Sequence, residues 1–372
     1  MSFLMSVLMF VVVFTVLVFV HELGHFWVAR RNRVRVDVFS IGFGREVYGW
    51  TDRHETRWKI GWIPLGGYVK FFGDESVAST AGAGLARMSD TDKAVSFHHK
   101  RLGQRMAIVA AGPIANLVFA ILVLTVLFVS VGQPYLAAKV GLVQPHSAAA
   151  AAGFQVDDVI TGIDGRKIAR FEDIQDIVRH AAGRKLAFSI ERHGQPMVIQ
   201  GTPQQVLARD NFGKEHKIGR LGIAAAGLEI IERGPLEAVV AATGETVHLM
   251  GQILGYLGQM IVGLRSAEEL GGPLLIAQLS GQAAQAGVAS LVNFMALLSI
   301  NLGLINLFPI PMLDGGHLLF YVVEAIRGRP LGERVQEYGF RIGLAAVLTL
   351  TIFVTWQDLE RLQVFEFLSN LL

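Results

Sequence analysis

The most constraining feature of this sequence is an HExxH pentapeptide, His21 to His25, that directly follows an uncharged apolar stretch. Residues 3–20 carry no charge, and about 18 or more apolar residues in a row can span a bilayer. In a helix, His21 and His25 lie on one face about one turn apart. Imidazoles and a carboxylate at membrane depth are costly unless they serve a purpose. The motif therefore predicts zinc ligation by His21 and His25, with Glu22 as a general base acting on zinc-bound water.

The composition is that of a membrane protein. Of the 372 residues, 52% are hydrophobic and only 17% are charged, which is too apolar for an ordinary soluble protein. A net charge of +2 without a basic tract gives no indication of nucleic acid. Because there is no cysteine, a metal must be held by His, Asp or Glu. The first apolar run lacks a basic leader and a small-residue cleavage pattern, which predicts a retained transmembrane helix.

Four segments are apolar and long enough to span a membrane: 3–29, 106–131, 288–312 and 338–356. Clusters of basic residues follow the first span, precede the second and lie between the third and the fourth, and the positive-inside rule assigns all three clusters to the cytoplasm. The clusters are Arg30, Arg31, Arg33 and Arg35; Lys100, Arg101 and Arg105; and Arg327, Arg329, Arg334 and Arg341. The N-terminus, residues 133–287 and the C-terminal tail are then predicted to lie outside the cytoplasm.

This topology also predicts the depth of the HExxH motif. Arg30 follows His25 by five residues, which is about 7.5 Å of helix. The motif should therefore lie within the hydrocarbon region, close to the cytoplasmic face.

The segments between the spans have different characters. Residues 36–75 are aromatic, β-branched and punctuated by glycine, which predicts strands that dip into the membrane; the alternative is a small soluble cytoplasmic hairpin. Residues 76–96 are small and polar, which predicts a flexible loop. Residues 138–231 alternate as short strands around a helix and predict a soluble α+β domain. Residues 235–265 predict an amphipathic helix on the outer surface, since a fifth span would place the third basic cluster on the wrong side.

Asp314 is the best candidate for the third zinc ligand. It is the only carboxylate near the third apolar span, whose cytoplasmic end lies at the depth predicted for His25. Pro309 and Pro311 break the helix and free backbone groups to line a cavity. A helix cap is the alternative role for Asp314, and His317 is a weaker candidate for the ligand.

Two amides at membrane depth also need an explanation. Asn306 could hold the substrate or the oxyanion that forms during attack, and interhelical hydrogen bonding is nearly as good an explanation. For Asn116, helix packing is the favoured role.

The motifs together resemble those of the bacterial RseP-type site-2 intramembrane zinc metalloproteases, which are peptidase M50-like. The resemblance covers most of the chain and rests on HELGH, FSIGFG at 39–44, PLGGYVK at 64–70, GP at 112–113 with Asn116, and residues 306–315. It implies zinc as the cofactor, bound by His21, His25 and Asp314, with Glu22 catalytic. It also implies substrate contacts at Asn306, and the strand edge near Gly66, Gly67 and Tyr68 could pair with an unwound substrate.

The predicted fold is a polytopic α-helical membrane protein of about four transmembrane helices, with a membrane-reentrant β element and one α+β PDZ-like extracytoplasmic domain. The predicted segments are 1–35, first helix; 36–75, β region; 76–105, cytoplasmic loop; 106–137, second helix; 138–231, PDZ-like domain; 232–287, amphipathic extracytoplasmic region; 288–326, third helix with NxxPxPxLDG; and 327–372, fourth helix and tail.

The resemblance implies a setting and partners. The protein would lie in the bacterial inner membrane, with its active site near the cytoplasmic face and its single PDZ-like domain in the periplasm. Its partners would be the lipid bilayer and single-pass transmembrane substrates, such as trimmed anti-sigma factors or remnant signal peptides. The PDZ-like domain could bind a peptide or exclude bulky ectodomains.

Two other classes of function remain open at this point. A metal or proton transporter also places His, Glu and Asp within the membrane, but it predicts inverted repeats, and no convincing internal repeat is found. A non-catalytic membrane receptor built around the PDZ-like domain leaves Glu22 without a role.

Overall fold

The computed structural model describes residues 3–74, 88–209, 215–263 and 270–362. The chain divides into two compact units: residues 1–127 with 235–372, and residues 128–234. Helices and strands are numbered in chain order.

Four helices in the described part of the chain are long and apolar enough to cross a membrane. They are α1 (Phe3–Arg31), α3 (Leu102–Ser130), α8 (Val288–Asn306) and α10 (Glu333–Arg361). The prediction of four apolar spans is confirmed by length and composition.

The third span is shorter than predicted. Helix α8 ends at Asn306 rather than at 312, because Pro309 and Pro311 have no amide hydrogen to continue the helical bonds. The chain then passes through Met312, whose φ is +88°, and starts a new helix, α9 (Asp314–Arg327). The break therefore puts Asp314 at a helix N-terminus that faces back toward α1.

Residues 36–71 form an antiparallel hairpin of two bent strands, β1 (Val36–Thr51) and β2 (Arg57–Phe71). Because both strands bend, residues 36–41 pair with 67–71 on one side and with 57–60 on the other. Residues 57–61 also pair with 46–51, so the hairpin forms four adjacent rows. Among the described strands, none pairs with the outer side of 67–71, and this row is an edge.

The segment 76–96, predicted to be a flexible loop, is partly helical, so that prediction is wrong for its last residues. Helix α2 (Asp90–Val95) begins after Ser89, whose side chain accepts a hydrogen bond from the Asp92 amide. A short 3₁₀ turn at Phe97–His99 follows, and α3 begins at Leu102, earlier than 106. Residues 75–87 lie outside the described part.

The 232–287 region contains two helices, α6 (Pro235–Ile261) and α7 (Pro273–Gln285). Helix α7 packs against α1, α8 and α10, which the predicted surface location did not anticipate. Small residues on its buried face, including Ala277 and Gly281, permit this close packing. The buried carboxylate of Asp358 on α10 accepts hydrogen bonds from the first amides of α7, at 3.0 Å from the Leu274 and Leu275 nitrogens.

The unit of residues 128–234 is a small α+β fold. Its helices are α4 (Ala148–Ala152) and α5 (Phe171–Arg179). Its strands are β3 (Gln133–Leu136), β4 (Val140–Val143), β5 (Val159–Ile163), β6 (Arg166–Lys167), β7 (Leu186–Arg192), β8 (Gln195–Gly201), β9 (Gln204–Arg209), β10 (Glu215–Arg220), β11 (Ile223–Ala225) and β12 (Leu228–Ile231). One sheet has the order β6-β5-β7-β8, and three further pairs join β9 to β10, β4 to β11 and β3 to β12.

This unit has its own hydrophobic core, made by alternating side chains of β5 and β7 and by one face of α5. A fully buried carboxylate, Asp158, closes one end of the sheet. Arg192 donates to both of its oxygens, at 2.7 and 2.8 Å, and the Gln155 amide donates at 2.8 Å. Burial raises the pKa of Asp158, but these hydrogen bonds outweigh burial and leave the pKa below its ordinary value.

We expect Asp158→Asn to lower the unfolding free energy of residues 128–234 by about 1.5–3 kcal/mol at pH 7, since a charged acceptor is lost. The folded pKa is depressed, so the wild-type contribution is complete above the unfolded value of about 3.9 and is lost as the pH falls through the folded pKa. Denaturant unfolding of this unit at pH 7 and below pH 4 measures both effects. Asp157→Asn, at the exposed neighbour, should change stability by less than about 0.5 kcal/mol. Equal stability of the two variants would contradict the prediction.

Candidate metal centre

Three predicted ligand residues meet at one point between α1 and α9. His21 and His25 lie one turn apart on α1, and their Nε2 atoms are 3.2 Å apart. Asp314 approaches them from the start of α9, with Oδ2 3.0 Å from His21 Nε2 and Oδ1 3.5 Å from His25 Nε2. All three side chains are mostly buried. The structure therefore brings together the residues that the sequence singled out as zinc ligands.

These distances fit a zinc ion. Ligand atoms at about 2.0–2.1 Å from a tetrahedral zinc lie roughly 3.3 Å from one another, close to the separations found here. Asp314 Oδ2 is buried and accepts no hydrogen bond from the described residues, although His21 Nε2 lies 3.0 Å away. The two groups are thus near each other without the alignment of a hydrogen bond. Lone pairs that converge on a common point are the arrangement that a cation requires.

The opposite ring nitrogens of both histidines have partners on α3. His25 Nδ1 lies 2.9 Å from the Ile108 carbonyl oxygen, which can only accept, so Nδ1 carries the proton and Nε2 is left for a metal. His21 Nδ1 lies 3.1 Å from the side-chain amide of Asn116. Sequence analysis favoured a packing role for Asn116 and missed this contact. Gly112, four residues earlier on α3, lies against both imidazoles.

The edge row of the hairpin lies against the HExxH helix. The Val69 backbone lies close to the carboxylate of Glu22. A Cβ atom on Gly67 would lie 2.7 Å from the Ser40 carbonyl oxygen and 3.3 Å from Glu22 Cγ, so this close approach requires glycine. Glu22 is therefore held between the metal ligands and a strand edge.

A cavity of about 220 Å³ opens beside the three ligands. Its lining includes Glu22, Asn306, Gly67 and Tyr68, four residues that the sequence analysis linked to catalysis or substrate. Gly66 is not among the described lining residues; it has φ +92° and packs against the Phe43 ring. The predicted substrate-contacting residues other than Gly66 thus share one space with the ligands.

His317, the weaker ligand candidate, also lines this cavity. Among the described residues, the cluster that could hold a metal consists of His21, His25 and Asp314 and does not include His317. The ring of His317 lies 5.1 Å from that of Phe340 on α10.

Arg105 on α3 and Glu324 on α9 form an ion pair that was not predicted from the sequence. Arg105 Nη2 lies 2.5 Å from Glu324 Oε1, and both side chains are mostly buried. The Arg105 guanidinium also lies 4.9 Å from the centre of the Tyr321 ring. Since Asp314 is at the start of the same helix, this contact helps to set its position.

The chain matches the model of peptidase family M50 over residues 9–350. A protein of Agrobacterium fabrum whose name describes a zinc metalloprotease is 44% identical over 358 residues, covering 95% of each chain. The metalloprotease MmpA of Caulobacter vibrioides is 38% identical over 394 residues, covering 100% of this chain and 99% of that one. A solved PDZ domain of an SdrC-like protein from Listeria monocytogenes is 20% identical and covers 26% of this chain and 93% of its own, with a TM-score of 0.20.

The apolar helices and the His–His–Asp site define a multi-pass membrane metalloprotease that uses zinc. The chain belongs to peptidase family M50. Membership of this family favours the protease over the transporter and the non-catalytic receptor.

Proposed function

We propose that this protein is an intramembrane protease that cleaves peptide bonds within transmembrane segments of its substrates. The observation that carries the proposal is that His21, His25 and Asp314 converge beside Glu22. The two histidines and Glu22 lie on α1, in which residues 3–20 are uncharged and apolar. In this assignment the two imidazoles and Asp314 would hold zinc beside Glu22.

Each residue beside the site has a distinct part in hydrolysis. Zinc, when bound, supplies a Lewis acid that acidifies water and polarises the substrate carbonyl. Glu22 takes a proton from the attacking water and then donates it to the leaving amide nitrogen. Asn306 lines the same cavity and can donate a hydrogen bond to the oxyanion that forms during attack.

The unpaired edge row of residues 67–71 could hold the substrate by pairing with its backbone. A transmembrane helix hides its peptide bonds, so a substrate must be unwound and its lost backbone hydrogen bonds replaced. An extended segment paired with this edge regains them by strand addition, beside Glu22. Gly67, Tyr68, Val69 and Phe71 of this edge row line the cavity.

The membrane placement of the hairpin belongs to the same proposal. Its aromatic side chains Tyr48 and Trp62 are 63% and 76% exposed, as expected for residues that meet lipid or the membrane interface. With the basic clusters in the cytoplasm, the active site lies near the cytoplasmic face of the inner membrane. Residues 128–234 then lie in the periplasm as a PDZ-like domain.

The proposed substrates are single-pass membrane proteins whose outer portion is short, such as trimmed anti-sigma factors or remnant signal peptides. A PDZ-like domain outside the membrane would select them either by binding an exposed chain end or by excluding large ectodomains.

Reconstituted cleavage of a model transmembrane substrate, with and without a zinc chelator, tests the function. We expect cleavage to fall to background when zinc is removed and to return when zinc is supplied, since hydrolysis depends on the metal site. Mass spectrometry of the products should place the scissile bond within the transmembrane segment. Cleavage that persists in verified zinc-free protein, or a scissile bond outside that segment, would contradict the proposal.

A further inference from the structure

We propose that Asp74 closes one end of the substrate-pairing edge and thereby determines which peptide bond of the substrate is cut. The inference rests on the proposed function, in which an extended substrate pairs with the edge row of residues 67–71. It adds the residue that sets where this pairing stops. Asp74 follows the row by three residues and is not among the residues assigned to zinc binding or catalysis.

Every second residue of an edge strand directs its N–H and C=O groups away from the neighbouring strand. The Phe72 amide donates to the Arg35 carbonyl oxygen, just before β1, at 2.9 Å. The backbone groups of the preceding residue, Phe71, therefore face outward. The same alternation makes Val69 and Gly67 the other outward-facing residues of the row.

Both outward-facing groups of Phe71 are already occupied. Its amide donates to Asp74 Oδ2 at 3.1 Å, and its carbonyl oxygen accepts from the Asp74 amide at 3.1 Å. Gly73, with φ +98°, makes the tight turn that brings Asp74 back to this position. A substrate strand along the row can therefore pair with Gly67 and Val69, but both backbone groups of Phe71 are closed to it.

A second segment holds the Asp74 carboxylate in this position. The Asp74 side chain is fully buried, and His98 Nε2 lies 2.9 Å from its Oδ1. A carboxylate only accepts, so Nε2 carries the proton and donates. The ring of Phe97, in the same 3₁₀ turn, stacks on the Phe71 ring with centroids 4.9 Å apart. Each carboxylate oxygen thus has its own donor, and a substrate cannot displace Asp74 without breaking both hydrogen bonds.

The closed end lies a short distance from the catalytic groups. The Val69 backbone lies close to the carboxylate of Glu22, and Phe71 is two residues farther along, which is about 7 Å of strand. A substrate strand that slips by two residues keeps the same faces and the same hydrogen-bonding pattern. The closed end at Phe71 distinguishes such registers, because it limits how far the paired substrate extends past Glu22. Asp74 is therefore a specificity-determining residue that selects the scissile bond through the register.

Mass spectrometry of the products that reconstituted full-length protein makes from a model transmembrane substrate tests the inference. Asp74→Ala frees the Phe71 amide for one further hydrogen bond to the substrate. We expect the ratio of a product displaced by two residues to the original product to rise by roughly 2–10-fold, the effect of one net hydrogen bond. Asp74→Asn is the matched control, because its side-chain oxygen can still accept from the Phe71 amide, and it should keep the ratio within about twofold of the wild type. Lower total cleavage at an unchanged ratio in Asp74→Ala, or the same displacement in Asp74→Asn, would overturn the inference.

His98→Leu is a milder variant that leaves Asp74 itself in place. It removes the donor to Oδ1 and should raise the displaced product in the same direction, whereas His98→Gln, which keeps a donor, should not. If Asp74→Ala does not fold, this pair decides the question. Equal product ratios in His98→Leu and the wild type would then overturn the inference.

Disulfide crosslinking reports the register without cleavage. The chain contains no cysteine, so Lys70→Cys places a single thiol in the edge row, and the inactive Glu22→Gln background keeps the substrate intact. Opposite residues of paired strands have Cβ atoms about 4.5–5.5 Å apart, so the substrate cysteine that links best identifies the register. Asp74→Ala should move that position by two residues. An unmoved position would overturn the inference alone, whereas a substrate that neither links nor is cut within its transmembrane segment would overturn the proposed function as well.

Discussion

Glu22→Gln is expected to abolish proteolysis while the protein still folds and binds zinc. Glutamine has nearly the same shape but cannot take a proton from water, and a positioned general base usually contributes about 10²–10⁴-fold to the rate. The carboxylate lies close to the Val69 backbone, and glutamine keeps a side-chain oxygen that can accept from the same amide. Cleavage rate and bound zinc, measured on the same reconstituted sample, therefore separate catalysis from assembly of the site.

His21→Ala is the companion variant, because it removes a proposed ligand. It should lose zinc and cleavage together, whereas Glu22→Gln should lose cleavage only. Wild-type activity in Glu22→Gln would exclude Glu22 as the base. Loss of zinc in that variant would instead make Glu22 a ligand and would require a different base.

The two histidine ligands could be predicted from sequence because they are only four residues apart. Four residues correspond to about one helical turn, so His21 and His25 share a face in any helix. The apolar runs that determine the number of spans are equally local. The prediction of Asp314 as the third ligand needed one further argument, namely that it is the only carboxylate near the apolar span that Pro309 and Pro311 break.

Contacts between distant segments could not be predicted in this way. Asn116 is separated from His21 by 95 residues, and nothing in the spacing of either helix says which faces meet. Arg105 and Glu324 are 219 residues apart and pair for the same tertiary reason. The hairpin was predicted as strands, but its four rows depend on how β1 and β2 bend, which composition does not determine.

Gly112→Ala is expected to disrupt the metal centre from outside the HExxH motif. A Cβ at position 112 would lie 2.3 Å from His25 Nε2 and 2.8 Å from His21 Nε2, well inside van der Waals contact. His25 cannot turn away without losing its hydrogen bond to Ile108, which lies on the same helix as Gly112. We expect zinc affinity to fall by about 100-fold, with a parallel loss of cleavage. Chelator competition and reconstituted cleavage measure both quantities.

Gly103→Ala makes the same change on the same helix α3, at a position where an added Cβ meets nothing within 4 Å. Alanine favours a helix over glycine by up to about 1 kcal/mol, so neither variant loses intrinsic helical preference. Only Gly112→Ala, which places a Cβ against the imidazoles, should lose zinc. If Gly112→Ala kept wild-type zinc affinity, helix α3 or the imidazoles would have to shift without cost to admit a Cβ that would lie 2.3 Å from His25 Nε2. The close packing of α3 against α1 opposes such a shift.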